Sequence, residues 1–311
     1  MRIVFMGTPD YALECLRAVY NNPNANIVGV LTQPDKPKGR GMKMIPPPVK
    51  VFAEEKGIPV YQPVTLKDGV FSEELEKLDP ELIIVAAYGK ILPKYVLDYP
   101  KYGCVNAHAS ILPRHRGAAP INRAIMEGDT KTGVCAMFMD VGLDTGDIIF
   151  TSETAITEED DVGTLHDRLA LMAGEAMSRI VDMAVAGPLP RTPQSEDGMT
   201  YAAKITKADC VIDFSRPPRE ILCLIRGLSP MPCAMAKTPD GKLLKITSAH
   251  LVNGECSAPF GTVLSTDNGE ITVSCGGGKL AFTGVIPEGK SRMSAADYIR
   301  GRKLSAGDVL L

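Results

Sequence analysis

The residues best suited to chemistry lie in one short run, Val105-Asn106-Ala107-His108-Ala109-Ser110. The apolar stretch 103–107 predicts a strand, and residues two apart on a strand share a face. Asn106 and His108 therefore project together near the strand's carboxyl end, where open α/β sheets bind ligands. An amide beside an imidazole suits acyl transfer. The amide can hold a developing oxyanion, and an imidazole can move the proton of an attacking amine. Taken in isolation, an Asn-x-His pair more often reflects a turn cap beside a satisfied surface histidine. A second run, Met139-Asp140-Val141-Gly142-Leu143-Asp144-Thr145-Gly146-Asp147-Ile148, forms a glycine-bracketed loop. A carboxylate held there could orient His108. Spacing does not choose among Asp140, Asp144 and Asp147, and Asp and Gly are also ordinary turn residues.

These residues need a scaffold. Apolar runs at 2–6, 27–32, 82–86, 103–107 and 132–139 predict strands, with helices over 11–20, 48–56 and 119–127 between them. Strands alternating with helices predict an α/β, Rossmann-like, mostly parallel sheet. Gly7-Thr8-Pro9 follows the first strand but lacks the Gly-x-Gly-x-x-Gly spacing of a dinucleotide loop. It reads as a structural turn or a wall of the substrate site. Asp161 and Thr164 offer caps for an amphipathic helix over 165–186, stopped by Pro188. The Pro- and polar-rich stretch that follows suits a linker. After a short helix at 218–228, brief β patterns at 243–248, 261–265, 271–275 and 279–283 alternate with Gly and Asn-Gly turns. They predict a small, OB-like antiparallel barrel. The expected division is a catalytic domain over 1–187, a linker over 188–207 and a C-terminal β-barrel over 208–311.

Composition sets outer bounds. A chain of 311 residues suits two domains. No run of about 18 apolar residues appears, and the chain passes from Arg2 directly into Ile3-Val4-Phe5 without a targeting pattern. The expectation is a cytoplasmic protein with no membrane contact, and nothing demands more than a monomer. The eight cysteines form no Cys-x-x-Cys pair, so they read as reduced packing thiols and no metal site is expected. A formal charge of −3 gives no global attraction to nucleic acid. Local patches differ. Residues 32–50 hold Lys36, Lys38, Arg40, Lys43 and Lys50 against Asp35. Gly39 and Gly41 loosen this loop, and Pro46-Pro47-Pro48 stiffens its exit. Such a loop suits phosphate contact, although a generic charge run is more often a solvated linker. Residues 284–303 add Lys290, Arg292, Arg300, Arg302 and Lys303 against Glu288 and Asp297.

Asn106-x-His108 followed by Ser110-Ile111-Leu112-Pro113, with Leu143-Asp144-Thr145-Gly146-Asp147 downstream, resembles the folate-dependent formyltransferase family. The resemblance runs along almost the whole chain. It includes Phe5-Met6-Gly7-Thr8-Pro9-Asp10-Tyr11-Ala12, Ala87-Tyr88-Gly89-Lys90-Ile91-Leu92-Pro93, Arg114-His115-Arg116-Gly117-Ala118-Ala119-Pro120, Tyr201-Ala202-x-Lys204-Ile205-x-Lys207 and Asp213-Phe214-Ser215-Arg216-Pro217. His115 and Phe214 stand where the family usually has Trp. Ser229-Pro230-Met231-Pro232 replaces a more usual Asn-Pro-Trp-Pro.

The resemblance implies a catalytic set of Asn106, His108 and Asp144. It implies no tightly bound cofactor, with 10-formyltetrahydrofolate as co-substrate. That folate would lie against Ser110, Ile111, Leu112 and Pro113, with Ala86, Tyr88 and Gly89 helping to hold the pterin. The implied acceptor is the α-amino group of methionine on initiator tRNA, with Lys36, Lys38, Arg40, Lys43, Lys204 and Lys207 on the tRNA. A small amine, on a nucleotide or amino-sugar, is the alternative acceptor.

Overall fold

The computed structural model describes residues 1–38, 42–301 and 304–311, without the side chain of Lys38. Arg40, expected on the tRNA, lies outside the described residues. Two compact units form. The first takes residues 1–117, 132–154 and 166–202. The second takes 118–131, 155–165 and 203–311.

The first unit opens with β1 (Arg2–Gly7) and α1 (Asp10–Tyr20). Helix α1 buries Tyr11, Ala12, Cys15, Leu16 and Val19, the three-and-four spacing of one helical face. Then follow β2 (Asn26–Leu31), a hairpin of β3 (Lys36–Lys38) and β4 (Lys43–Ile45), α2 (Pro48–Glu55), β5 (Val60–Tyr61), α3 (Ser72–Leu78), β6 (Leu82–Ala86), α4 (Lys94–Leu97), β7 (Cys104–His108) and β8 (Arg116–Gly117). Beyond α5 (Pro120–Met126), which belongs to the second unit, come β9 (Lys131–Phe138), β10 (Ile148–Ala155), α6 (Val162–Ala186) and β11 (Tyr201–Ala202). The main sheet runs β10-β9-β7-β6-β1-β2-β5. Strands β5, β2, β1, β6 and β7 are mutually parallel, and β9 is antiparallel to β7. The mostly parallel α/β sheet expected from the sequence is present. Strands β1 and β6 are buried nearly throughout, as continuous apolar runs covered on both faces should be.

Helix α6 starts at Val162, three residues earlier than the expected 165. Asp161 Oδ1 accepts the Thr164 N–H at 3.0 Å, so the cap forecast at Asp161 is used and the first turn follows it directly. Strand β7 reaches His108, one residue beyond the expected end, and pairs His108 with Cys135 of β9.

In the second unit α7 (Pro218–Leu228) covers a sheet of β12 (Ala234–Lys237), β13 (Leu243–Val252), β14 (Val263–Ser265), β15 (Ile271–Cys275), β16 (Gly278–Pro287) and β17 (Met293–Ser294), followed by α8 (Ala295–Arg300). The order is β12-β13-β16-β15-β14, antiparallel throughout, with β17 on β16. The tail joins the two edges. Val263 N donates to Asp308 O and Leu310 N to Gly261 O, while Leu311 N donates to Lys237 O at 2.9 Å. The sheet is thereby closed on itself, which removes its exposed edges. Ile221, Ile225 and Leu228 of α7 pack into the core with Leu244, Ile246, Val273 and Phe282. Each such buried side chain contributes about 1.5–3 kcal/mol.

Candidate active site

Asn106 and His108 leave the same face of β7, as strand periodicity requires. Asn106 is partly exposed, and His108 is buried at 5%. His108 Nε2 lies 2.9 Å from the carbonyl oxygen of His115. A carbonyl only accepts, so Nε2 carries the hydrogen. In the neutral ring Nδ1 is then bare. It faces Asp144 Oδ2 at 3.6 Å. The ring can therefore take a further proton at Nδ1, and the charge created would sit against a carboxylate.

The acid reaches this place by an indirect path. Phe138 N donates to Asp147 O, so the ends of the loop lie three residues along β9 from Cys135, the partner of His108. Three strand residues span about 10 Å, and the loop folds back over that distance. Asp144 adopts a left-handed φ of 53°, rare for a residue with a Cβ. Its carboxylate accepts the Gly117 N–H at 2.8 Å. Gly117 itself has φ 125°, and a Cβ there would stand 2.8 Å from Ala202 O, so both conformation and space require glycine. The neighbouring acids are engaged elsewhere. Asp140 Oδ1 accepts the Val141 N–H, and Asp147 pairs with Arg191 at 3.3 Å.

The carboxyl ends of the parallel strands make the rim. Thr8 Oγ1 donates to Tyr88 O at 3.3 Å, Gln33 N donates to Thr8 Oγ1 at 3.3 Å, and Gln33 Nε2 donates to Tyr88 O at 2.9 Å. The turns after β1, β2 and β6 are thus tied together. A Cβ at Gly7 would meet Ala12 Cβ at 2.6 Å and Ala86 O at 2.9 Å, so this glycine serves close packing of the turn. The Tyr88 ring is buried in the core beside Leu92 and Val96, and burial pushes its hydroxyl up to about 12. Ala86 is buried as well, while Gly89 is exposed. Ser110 is fully buried and donates to Arg114 O at 2.7 Å. Leu112 packs on Cys135 and Met137, while Ile111 and Pro113 remain partly exposed.

In the hairpin of β3 and β4, Lys36 and Lys43 are exposed. Lys50 is not available to a partner in the way the charge count suggested. It pairs with Asp35 at 3.0 Å and also donates to Gln62, anchoring the loop base. Lys204 and Lys207 are exposed in the second unit.

Sequence reasoning missed two contributors, Gln194 and Thr200, in the stretch taken for a linker. Gln194 Nε2 donates to Asp144 O and Gly146 O, each at 2.8 Å. Thr200 Oγ1 accepts the His115 N–H at 2.9 Å. No periodicity marks such residues. Among the described residues, no group of three His, Cys, Asp or Glu could hold a metal ion, and no helix is long and apolar enough to cross a membrane.

An amide, an imidazole and a carboxylate at the carboxyl edge of an open α/β sheet define an acyl-transfer type of site. The formyl transferase family profile matches residues 1–181, and that of the formyl transferase C-terminal domain matches residues 204–303. A methionyl-tRNA formyltransferase of Geotalea daltonii is 44% identical over 310 residues, covering 100% of this chain and 98% of the relative. One from Bacillus velezensis is 45% identical over 313 residues, covering 99% and 97%. The fold also matches an N-formyltransferase from Helicobacter canadensis with a TM-score of 0.68 at 18% identity, covering 91% of this chain and 98% of that one. This chain belongs to the methionyl-tRNA formyltransferase family.

Proposed function

We propose that the chain transfers the formyl group of 10-formyltetrahydrofolate to the α-amino group of methionine on initiator tRNA. The product is formylmethionyl-tRNA for translation initiation. The observation that carries this reading is full-length identity of 44% to a methionyl-tRNA formyltransferase. Solved neighbours of the same fold are complexes with tetrahydrofolic acid or folinic acid, which supports a folate as donor. The sugar acceptors of such neighbours are the alternative, and they come with only 18% identity.

The catalytic residues are Asn106, His108 and Asp144. The amine nitrogen attacks the formyl carbon, and a tetrahedral intermediate carries negative charge on oxygen. Asn106 donates a hydrogen bond to that oxygen. His108 takes the amine proton at Nδ1, next to Asp144, and passes it to N10 as the bond from carbon to N10 breaks. Ile111 and Pro113, with the backbone of Ala86, Tyr88 and Gly89, line the folate; Ser110 and Leu112 support that stretch from beneath. Lys36, Lys38, Arg40, Lys43, Lys204 and Lys207 contact tRNA phosphates. Residues 1–187 carry the catalytic domain, 188–207 the connection, which up to Ala202 packs with the first unit, and 208–311 the tRNA-binding domain. The protein acts as a cytoplasmic monomer.

The test supplies 10-formyltetrahydrofolate with methionine-charged initiator tRNA and, separately, with amino-sugar nucleotides. Formylmethionine on the tRNA is the expected product. Formylation of the sugar alone would overturn the reading.

A further inference from the structure

The stretch between the two family matches, 182–203, contains a side chain that the reaction as described leaves unused. Gln194 has every hydrogen-bonding group of its amide engaged. Its nitrogen donates to Asp144 O and Gly146 O at 2.8 Å. Its oxygen accepts from Arg116 Nε at 3.0 Å and Nη2 at 2.8 Å. Two donors and two lone pairs are all that an amide side chain has.

Arg116 is 2% exposed. Its own N–H donates to Thr200 O at 2.9 Å, within the pairing of β8 with β11. Its acidic neighbour, Glu196, is 3.5 Å away with a side chain 77% exposed, a geometry that holds little. Gln194 is thus the short link between a buried cation and the loop that carries Asp144. That loop needs a link. Asp144 is left-handed at φ 53°, a conformation that Asp adopts more readily than most residues but that still gains from hydrogen bonds that hold it. The fixing comes from both ends of the residue: Gln194 holds the Asp144 carbonyl, and Gly117, next to Arg116, holds its carboxylate.

We propose that Gln194 is a positioning residue for formyl transfer, clamping the Asp144 loop to Arg116 and so setting the approach of Asp144 to His108. This rests on the catalytic assignment of Asp144 above. Glutamine is required over glutamate because a carboxylate could still pair with Arg116 but would turn acceptors toward two carbonyls.

The test is kinetic, on the full chain with both substrates. Gln194→Glu keeps the pairing with Arg116 and removes both donors. Gln194→Met keeps the volume and removes every polar contact. Each variant should lower kcat about 10- to 100-fold, the cost of a small misplacement of reacting groups, with KM for folate and tRNA within about threefold. In an Asp144→Ala background Gln194→Glu should cost no more than about twofold further, because the two residues act through one group. Wild-type kcat in both Gln194 variants, alongside an impaired Asp144→Ala, overturns the proposal and leaves the assignment of Asp144 intact. Losses that multiply in the double variant also overturn it. An active Asp144→Ala removes the assignment itself, and the proposal with it.

Discussion

Asp144→Asn isolates a single charge. The substitution keeps the size of the side chain and leaves an oxygen to accept the Gly117 N–H, now 2.8 Å away. It removes the negative charge 3.6 Å from His108 Nδ1. At an effective dielectric constant of about 20, unit charges about 4 Å apart attract by roughly 4 kcal/mol. The carboxylate side chain is 15% exposed, so water screens part of this. Since about 1.4 kcal/mol is tenfold in rate, kcat should fall about 100- to 1,000-fold at saturating folate and Met-tRNA. KM should change little, because the charge on His108 appears only as the amine gives up its proton. Single-turnover formylation of charged initiator tRNA reads the chemical step directly. A fall of less than about fivefold, with the fold intact by circular dichroism, would mean that no positive charge develops opposite Asp144, and the proton route through Nδ1 would be wrong.

Further outcomes test the remaining assignments. Asn106→Ala removes one oxyanion donor and should reduce kcat roughly 100-fold or more while tRNA affinity is retained; near-normal turnover would refute that role. Arg40→Ala and Lys43→Ala should weaken tRNA use and lower the slope of log KM against log salt by about one each. An unchanged slope would exclude phosphate contact by that side chain. Seven cysteines are buried and Cys256 is partly exposed. Burial also pushes the thiols of Cys135 and Cys275 up to about 11, so little thiolate is present at pH 8. Iodoacetamide under native conditions should therefore label Cys256 first, as peptide mass mapping would show, whereas early labelling of Cys135 would indicate that β9 opens.

The scaffold was legible where a period exists. Alternation along 103–107 placed Asn106 and His108 on one face, and β7 carries them there. Helix α7 occupies the predicted 218–228 because its apolar face repeats every three or four residues. The geometry around Asp144 was not legible by spacing. A loop that folds back across a sheet has no period, and three acids lie within eight residues; the family resemblance picked out Asp144, and the distances set it apart from Asp140 and Asp147. A barrel was expected, but not that the tail closes it, since residues 308–311 are too few to show alternation and their role lies in backbone pairing with Gly261 and Lys237. Lys50 entered the charge count of the loop, and sequence alone does not reveal that Asp35 and Gln62 meet it in space.

The clasp at Gln194 bears on how such chains can be recombined. A Pro-rich stretch between two domains invites replacement by any tether of similar reach. Here that stretch supplies Gln194 and Thr200 to the first unit, and β11 pairs within it up to Ala202. A hybrid that joins this catalytic domain to a foreign partner should take its crossover after Ala202. A crossover near Gly187 would preserve both matched domains and still deliver an enzyme whose acidic loop has lost its anchor.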